Sequence, residues 1–187
     1  MKQIKESLSE ISNNFIKLLD QSIPDIQEAS KLMIKCLKEG NKIMFCGNGG
    51  SAADAQHLSA ELVGRYMKDR KPLASIALTT DTSVITAISN DFSYEEVFSR
   101  QIESVGNEGD ILYAISTSGK SKNVIAALKA AKLLNIKTIG ITGSEGSSFK
   151  ELCNSTINVP ATRPDRIQEM HIAIGHIICE ILESELC

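Results

Sequence analysis

The run 42–46, Lys42-Ile43-Met44-Phe45-Cys46, followed by Gly47-Asn48-Gly49-Gly50-Ser51-Ala52, is the stretch from which the rest of the chain can be read. A short apolar run ends in glycines and a small hydroxyl residue, and helical patterning begins near Ser51. A strand buried on both faces reads as an unbroken apolar run, so this unit is the strand, turn and helix of a parallel sheet. Runs 73–78, 110–115, 137–141 and 155–159 have the same texture, each leading through a polar or small-residue turn into a helical pattern. Strands alternating with helices predict an α/β fold, a three-layer sandwich whose five-stranded parallel sheet carries helices on both faces.

Outward from this core, Ile4, Leu8, Ile11, Phe15 and Leu18 are spaced by fours and threes, which places them on one stripe of a helix. Ser22 and Pro24 suit the start of a second helix, with Ser22 as its cap, and Gly40 suits its end. The last segment, 164–186, is a long helix with Ile167, Met170, Ile174, Ile177 and Ile181 at helical spacing. The expected organisation is a single domain over 1–187, with N-terminal helices in 1–40 and the α/β core in 41–187.

Composition narrows the function. Of 187 residues, 42% are hydrophobic and 23% charged, a balance that folds, and the formal charge of −3 comes with no dense Lys/Arg block. Nucleic acid and anionic membranes are therefore not expected as partners. Apolar stretches stop well short of the ~20 residues of a membrane span, and the N-terminus lacks the apolar region of a signal peptide, so a cytoplasmic location is expected. The five cysteines, Cys36, Cys46, Cys153, Cys179 and Cys187, form no CxxC pair and read as reduced, mostly packing thiols.

Two loops look suited to phosphate. In the first, Asn48, Gly49, Gly50 and Ser51 lead into a helix whose N-terminal amides and dipole favour an anion. The letters fit the dinucleotide pattern G-x-G-x-x-A, but Asp69 comes before the second strand and Asp81 too far along to hold a ribose, so that reading is weak. The second loop, Ser116-Thr117-Ser118-Gly119-Lys120-Ser121, offers hydroxyl donors; Ala114 stands where a Walker A loop needs its first glycine. In a flavodoxin-like strand order, 2-1-3-4-5, strands 1 and 3 are neighbours and both loops border one crevice.

The three histidines lie in the helix after the first loop and in the last helix. His57 and Glu61, four apart, stand about 40° apart around the axis and share a face. On the last helix, Asp165, Gln168, His171 and His176 interrupt the apolar pattern, and Gln168 and His176 are about 80° apart. His171 reads as a packed residue with a satisfied hydrogen bond. A carboxylate and an imidazole beside a phosphate crevice suit proton transfer next to a carbonyl, as in sugar-phosphate isomerisation. His57, Glu61 and His176, with Gln168 as a less usual fourth ligand, equally form a donor set for zinc, and the two readings are compatible.

Through CGNGGSAADAQHLSAELVGRY, AISNDFSYEEVFSRQ, ISTSGKSKNV, GITG and RIQEMHIAIGHI, nearly the whole chain resembles the sugar isomerase (SIS) domain proteins, and among them the phosphoheptose isomerases. The resemblance implies an aldose-ketose isomerase that converts sedoheptulose 7-phosphate to D-glycero-D-manno-heptose 7-phosphate through an enediol, the first step toward bacterial surface heptose in lipopolysaccharide, lipooligosaccharide or capsule. It implies Glu61 and His176 as the acid/base pair. It implies Asn48, Gly49, Gly50, Ser51, Glu61, Asn90, Asp91, Ser116, Thr117, Ser118, Ser121, Asp165 and Gln168 as the substrate-binding set. Zinc at His57, Glu61, Gln168 and His176, one per subunit and with no nucleotide cofactor, is also implied. So is a homotetramer with sites at subunit interfaces, for which we expect Glu61 of one copy to meet His176 of another. Lys120 departs from the family pattern, where Asn is frequent, and is expected to point into solvent. Rival readings are a non-enzymatic SIS adaptor that binds the replication initiator DnaA, from which the retained Glu61 and His176 distinguish this chain, and another sugar-phosphate-binding SIS protein.

Overall fold

In a computed structural model, which describes residues 1–187 apart from the side chains of Ser147 and Ser148, two helices, α1 (Lys2–Gln21) and α2 (Ile23–Lys38), precede the alternating part of the chain. There follow β1 (Ile43–Gly47), α3 (Gly50–Val63), β2 (Ser75–Ala77), α4 (Thr82–Asp91), α5 (Ser99–Val105), β3 (Ile111–Ile115), α6 (Lys122–Leu133), β4 (Lys137–Gly143), α7 (Ser147–Lys150), β5 (Ser155–Val159) and α8 (Pro164–Leu186). All five strands are parallel and lie in the order β2-β1-β3-β4-β5, as expected.

Because side chains alternate along a strand, the runs of β1 and β3 feed two cores. Ile43, Phe45, Ile111, Tyr113 and Ile115 face Met33 of α2, Leu58 and Leu62 of α3, and Met170, Ile174 and Ile178 of α8. Met44, Cys46, Leu112 and Ala114 face Phe98 and Ile102 on the other side, with Val124 and Leu128 of α6. Burying each large side chain of this kind contributes about 1.5–3 kcal/mol, and the polar residues that the inner strands do bury, Thr138 and Thr142 of β4, have hydroxyls that donate to the carbonyls of Leu152 and Thr117.

The structure corrects one local expectation. Ser22 precedes α2 but makes no side-chain cap; its hydroxyl donates instead to the carbonyl of Asn158 on β5, at 3.3 Å. Ser22 still stands at the N-cap, its carbonyl accepting from the amide of Ile26 at 3.1 Å, with Pro24 in the first turn, and Gly40, at φ +82°, supplies the left-handed exit that the sequence suggests. The α8 stripe is covered within the chain at Ile167, Met170 and Ile174, whereas Ile181 is half-buried and Ile177 is exposed. The α1 stripe is covered only at its second half: Leu18 is 6% exposed, Ile4 and Leu8 are 64% and 61%.

Two features position the site. Gly47 pairs with Ile115 across β1 and β3, so the loops that follow these strands leave the same edge of the sheet side by side. At Gly175, α8 approaches α3 so closely that a Cβ would lie 2.5 Å from Cδ2 of Leu58. That contact brings the residue after it, His176, over the α3 turn that begins with His57. No helix among the described residues is long and apolar enough to cross a membrane.

Candidate active site

The first loop turns at Gly49, whose φ of +58° and ψ of −122° place it where a side chain is strained. Asn48 is fixed by an amide pair with Asn123 of α6, each side chain donating to the other at 2.8 Å, and its oxygen also accepts from the Tyr94 hydroxyl at 2.9 Å. The two loops are thus tied at their bases. In the second loop Ser116 and Ser121 face one another with hydroxyls 3.0 Å apart, Ser116 buried and Ser121 half-buried. The Thr117 carbonyl accepts from the amide of Gly143 at 3.0 Å, which fixes the loop to β4. The Ser118 hydroxyl accepts from the amide of Lys120 at 3.1 Å, and Lys120 is exposed, as expected. Ser51 is buried in the first turn of α3, where Gly50 meets the Gln168 carboxamide from α8; a Cβ on Gly50 would sit 2.7 Å from its nitrogen and oxygen.

Two turns further along α3 lies the titratable cluster. His57 Nε2 is 2.9 Å from Nε2 of His176 and 3.3 Å from a Glu61 carboxylate oxygen. One ligand atom from each of the three residues lies within 4.8 Å of the others. Two imidazole nitrogens and a carboxylate oxygen converging on one point form a donor set suited to zinc. Gln168, the fourth expected ligand, has its amide against Gly50 at the head of the helix. Glu61 and His176 belong to the same chain, so the expectation that one copy supplies each is corrected: the Gly175 contact already joins them. Tyr66 adds a ring 6.0 Å from that of His176.

Beneath His57, one turn earlier on α3, Asp54 has a buried carboxylate oxygen with no hydrogen-bond partner among the described residues. Burial pushes its carboxyl up to about 6, against a smaller opposing pull from His57. The Tyr113 hydroxyl is similarly buried and unpartnered among the described residues, and burial raises it, followed by the nearness of Cys179 and Asp54. Asp54 was legible only as an acid one turn before a histidine; Tyr66, Tyr94 and Asn123 lacked any signal in spacing, because their partners are remote in sequence.

The remaining expected residues lie apart from this cluster. Asn90 donates to Asp91 at 2.8 Å at the exposed end of α4, and neither is hydrogen-bonded to the two loops among the described residues. Asp165, in the first turn of α8, accepts from the Arg163 guanidinium at 2.6 and 3.2 Å, which holds its carboxyl below the usual range. His171 is packed in the core at 2% exposure, and burial drives it down to about 4, but among the described residues neither of its ring nitrogens finds a hydrogen-bond partner, unlike the satisfied histidine expected there. All five cysteines are free, and burial raises the thiols of Cys36 and Cys179 to about 12.

The fold and this site together define an α/β domain in which two glycine- and hydroxyl-rich loops meet at the sheet edge and a His-Glu-His cluster stands a short way along one helix. The SIS domain model matches residues 7–143. The chain is 49% identical to the phosphoheptose isomerase of Akkermansia muciniphila over 183 residues, 98% of this chain and 96% of that one. It is 56% identical to the phosphoheptose isomerase of Campylobacter jejuni subsp. jejuni serotype O:6 over 159 residues, 85% and 86% of the two chains. The solved phosphoheptose isomerase of Neisseria gonorrhoeae superimposes with a TM-score of 0.92 at 41% identity, covering 98% of each chain. The chain belongs to the SIS domain family, as one of its phosphoheptose isomerases.

Proposed function

We infer that this chain is an aldose-ketose isomerase acting on sedoheptulose 7-phosphate and yielding D-glycero-D-manno-heptose 7-phosphate, at the head of bacterial heptose precursor synthesis. The observation that carries the reading is the convergence of His57, Glu61 and His176 two turns along the helix whose N-terminus, with the Ser116–Ser121 loop, forms the anion-binding edge. Seven residues of helix separate Gly50 from His57, about 10 Å, a separation that suits a substrate whose phosphate and reacting carbons lie at opposite ends.

In this reading Ser51, Ser116, Thr117, Ser118 and Ser121, with the glycine backbone of the first loop, hold the phosphate. Asn48, Asn90, Asp91, Asp165 and Gln168 serve the sugar hydroxyls. Glu61 takes the proton from C1 of the ketose while His176 gives one to the carbonyl oxygen on C2, which leaves an enediol. Return of a proton to C2, with loss of the proton on the C1 oxygen, completes the aldose. His57, Glu61 and His176, with Gln168, would hold zinc, which when bound polarises the sugar oxygens as a Lewis acid. The acid/base positions favour this reading over a non-enzymatic adaptor.

Assembly as a homotetramer with sites where copies meet is supported by the bare half of α1 and by α4, none of whose residues is buried, and a cytoplasmic location by the free thiols. An NMR time course of the purified protein with sedoheptulose 7-phosphate tests the reaction. Appearance of the aldose is the expected result, and a substrate that stays unchanged while another ketose phosphate is converted would redirect the assignment.

A further inference from the structure

Glu183 lies seven residues beyond His176 on α8, hence on the same face two turns away, and is 3% exposed. Its carboxylate accepts from three successive backbone amides, Tyr66 at 3.3 Å, Met67 at 2.9 Å and Lys68 at 2.9 Å, and from Nε of Arg70 at 2.9 Å. Burial works to raise this carboxyl, and those donors outweigh it, so it sits below its usual range. The Arg70 side chain is 4% exposed. Its other nitrogens turn to the end of α3, Nη2 donating to the carbonyl of Glu61 at 2.8 Å and Nη1 to that of Leu62 at 3.0 Å. The last carbonyls of a helix have no intrahelical partner; here a guanidinium from outside the helix supplies one for the residue that carries the proposed base. The amides held by Glu183 belong to the segment that carries Tyr66, whose ring lies beside His176.

We propose that the buried Arg70–Glu183 pair is a positioning device for the isomerisation, holding the backbone of Glu61 and the ring of Tyr66 against α8 so that the Glu61 carboxylate and the His176 imidazole keep their register. This rests on the isomerase reading given above. Stability alone does not call for the arrangement, because a buried ion pair is often matched or bettered by apolar side chains of similar volume. What an apolar pair cannot do is fix two carbonyls and three amides in one geometry. Arginine is also specific to the task, since lysine lacks the planar fork that reaches the carboxylate and the helix end together.

The test compares wild type with Arg70→Lys, Glu183→Gln and the double variant Arg70→Met with Glu183→Leu, which removes both buried charges at once. Turnover of sedoheptulose 7-phosphate is expressed per folded molecule, with the folded fraction read by near-ultraviolet circular dichroism. In the double variant kcat is expected to fall about 10- to 100-fold, the scale of an ångström-sized misplacement. KM should stay within about threefold, because neither residue touches the phosphate loops. Unchanged kcat per folded molecule in the variants, or losses of activity that merely follow the folded fraction, would overturn the positioning role. Absence of turnover by wild type would remove the isomerase reading and this one with it, an outcome distinct from active wild type with unaffected variants.

Discussion

Glu61 stands where a carboxylate can reach both a histidine of its own helix and one brought by α8. Exchange for glutamine keeps its volume and removes its ability to take a proton. Glu61→Gln is therefore expected to lower kcat by about 10²–10⁴ with KM little changed; near-parental turnover would assign the base elsewhere. His171 makes a different prediction, about stability. Its folded value, about 4, lies below the ordinary 6.5 because burial disfavours the cation. Above pH 6.5 neither state binds the proton, and its contribution is fully present. As pH falls from 6.5 toward 4 the unfolded chain takes a proton that the folded chain refuses, so stability is lost. Urea unfolding of wild type and His171→Leu at pH 7.5 and pH 5 should show wild type losing about 2 kcal/mol more than the variant, and equal losses would mean that His171 is protonated in the folded chain. At this scale the sequence disclosed what helical spacing can carry, namely His57 with Glu61. It could not disclose Asp54 beside Tyr113, or Asn48 paired with Asn123, which meet only after the strands are ordered.

The elements were more legible than their contacts. Strand runs announced themselves because a sheet covered on both sides is built mainly of apolar residues at its centre, and Gly40 marked a helix end because its backbone is left-handed. Ser22 misled, since a serine before a helix has another use when a strand carbonyl lies within reach. Gly175 gave no sign at all: a lone glycine in a helix is meaningful only when Leu58 of another helix is seen against it. A methyl group there would press on a buried side chain and push α8 off α3. Gly175→Ala is thus expected to cost about 1–3 kcal/mol in chemical denaturation, and also to lower kcat, because His176 would ride outward with the helix. Loss of stability with kcat intact would show that the cluster tolerates a wider helix spacing.

For the whole molecule, the bare half of α1 is the feature that a single copy leaves unexplained. Ile4→Glu with Leu8→Glu should leave the fold of each chain intact, as both side chains are exposed within it, and native mass spectrometry should then show species smaller than the proposed tetramer. Persistence of a full-size assembly would place the contacts on another surface. Mixing Glu61→Gln with His176→Ala chains, refolded into shared assemblies, should regenerate no activity, because both groups come from one chain; recovered turnover would mean that the pair is exchanged between copies. Finally, in the proposed reaction the two ends of the substrate fall to parts of different kinds. The anionic handle goes to loops at the sheet edge, whereas the proposed proton-handling groups ride on α3 and α8, joined by the close contact at Gly175 and by the buried pair at their far ends. Such a division lets appetite and craft vary separately: a change confined to a loop can alter which phosphorylated sugar is welcome without disturbing the parts that move a hydrogen.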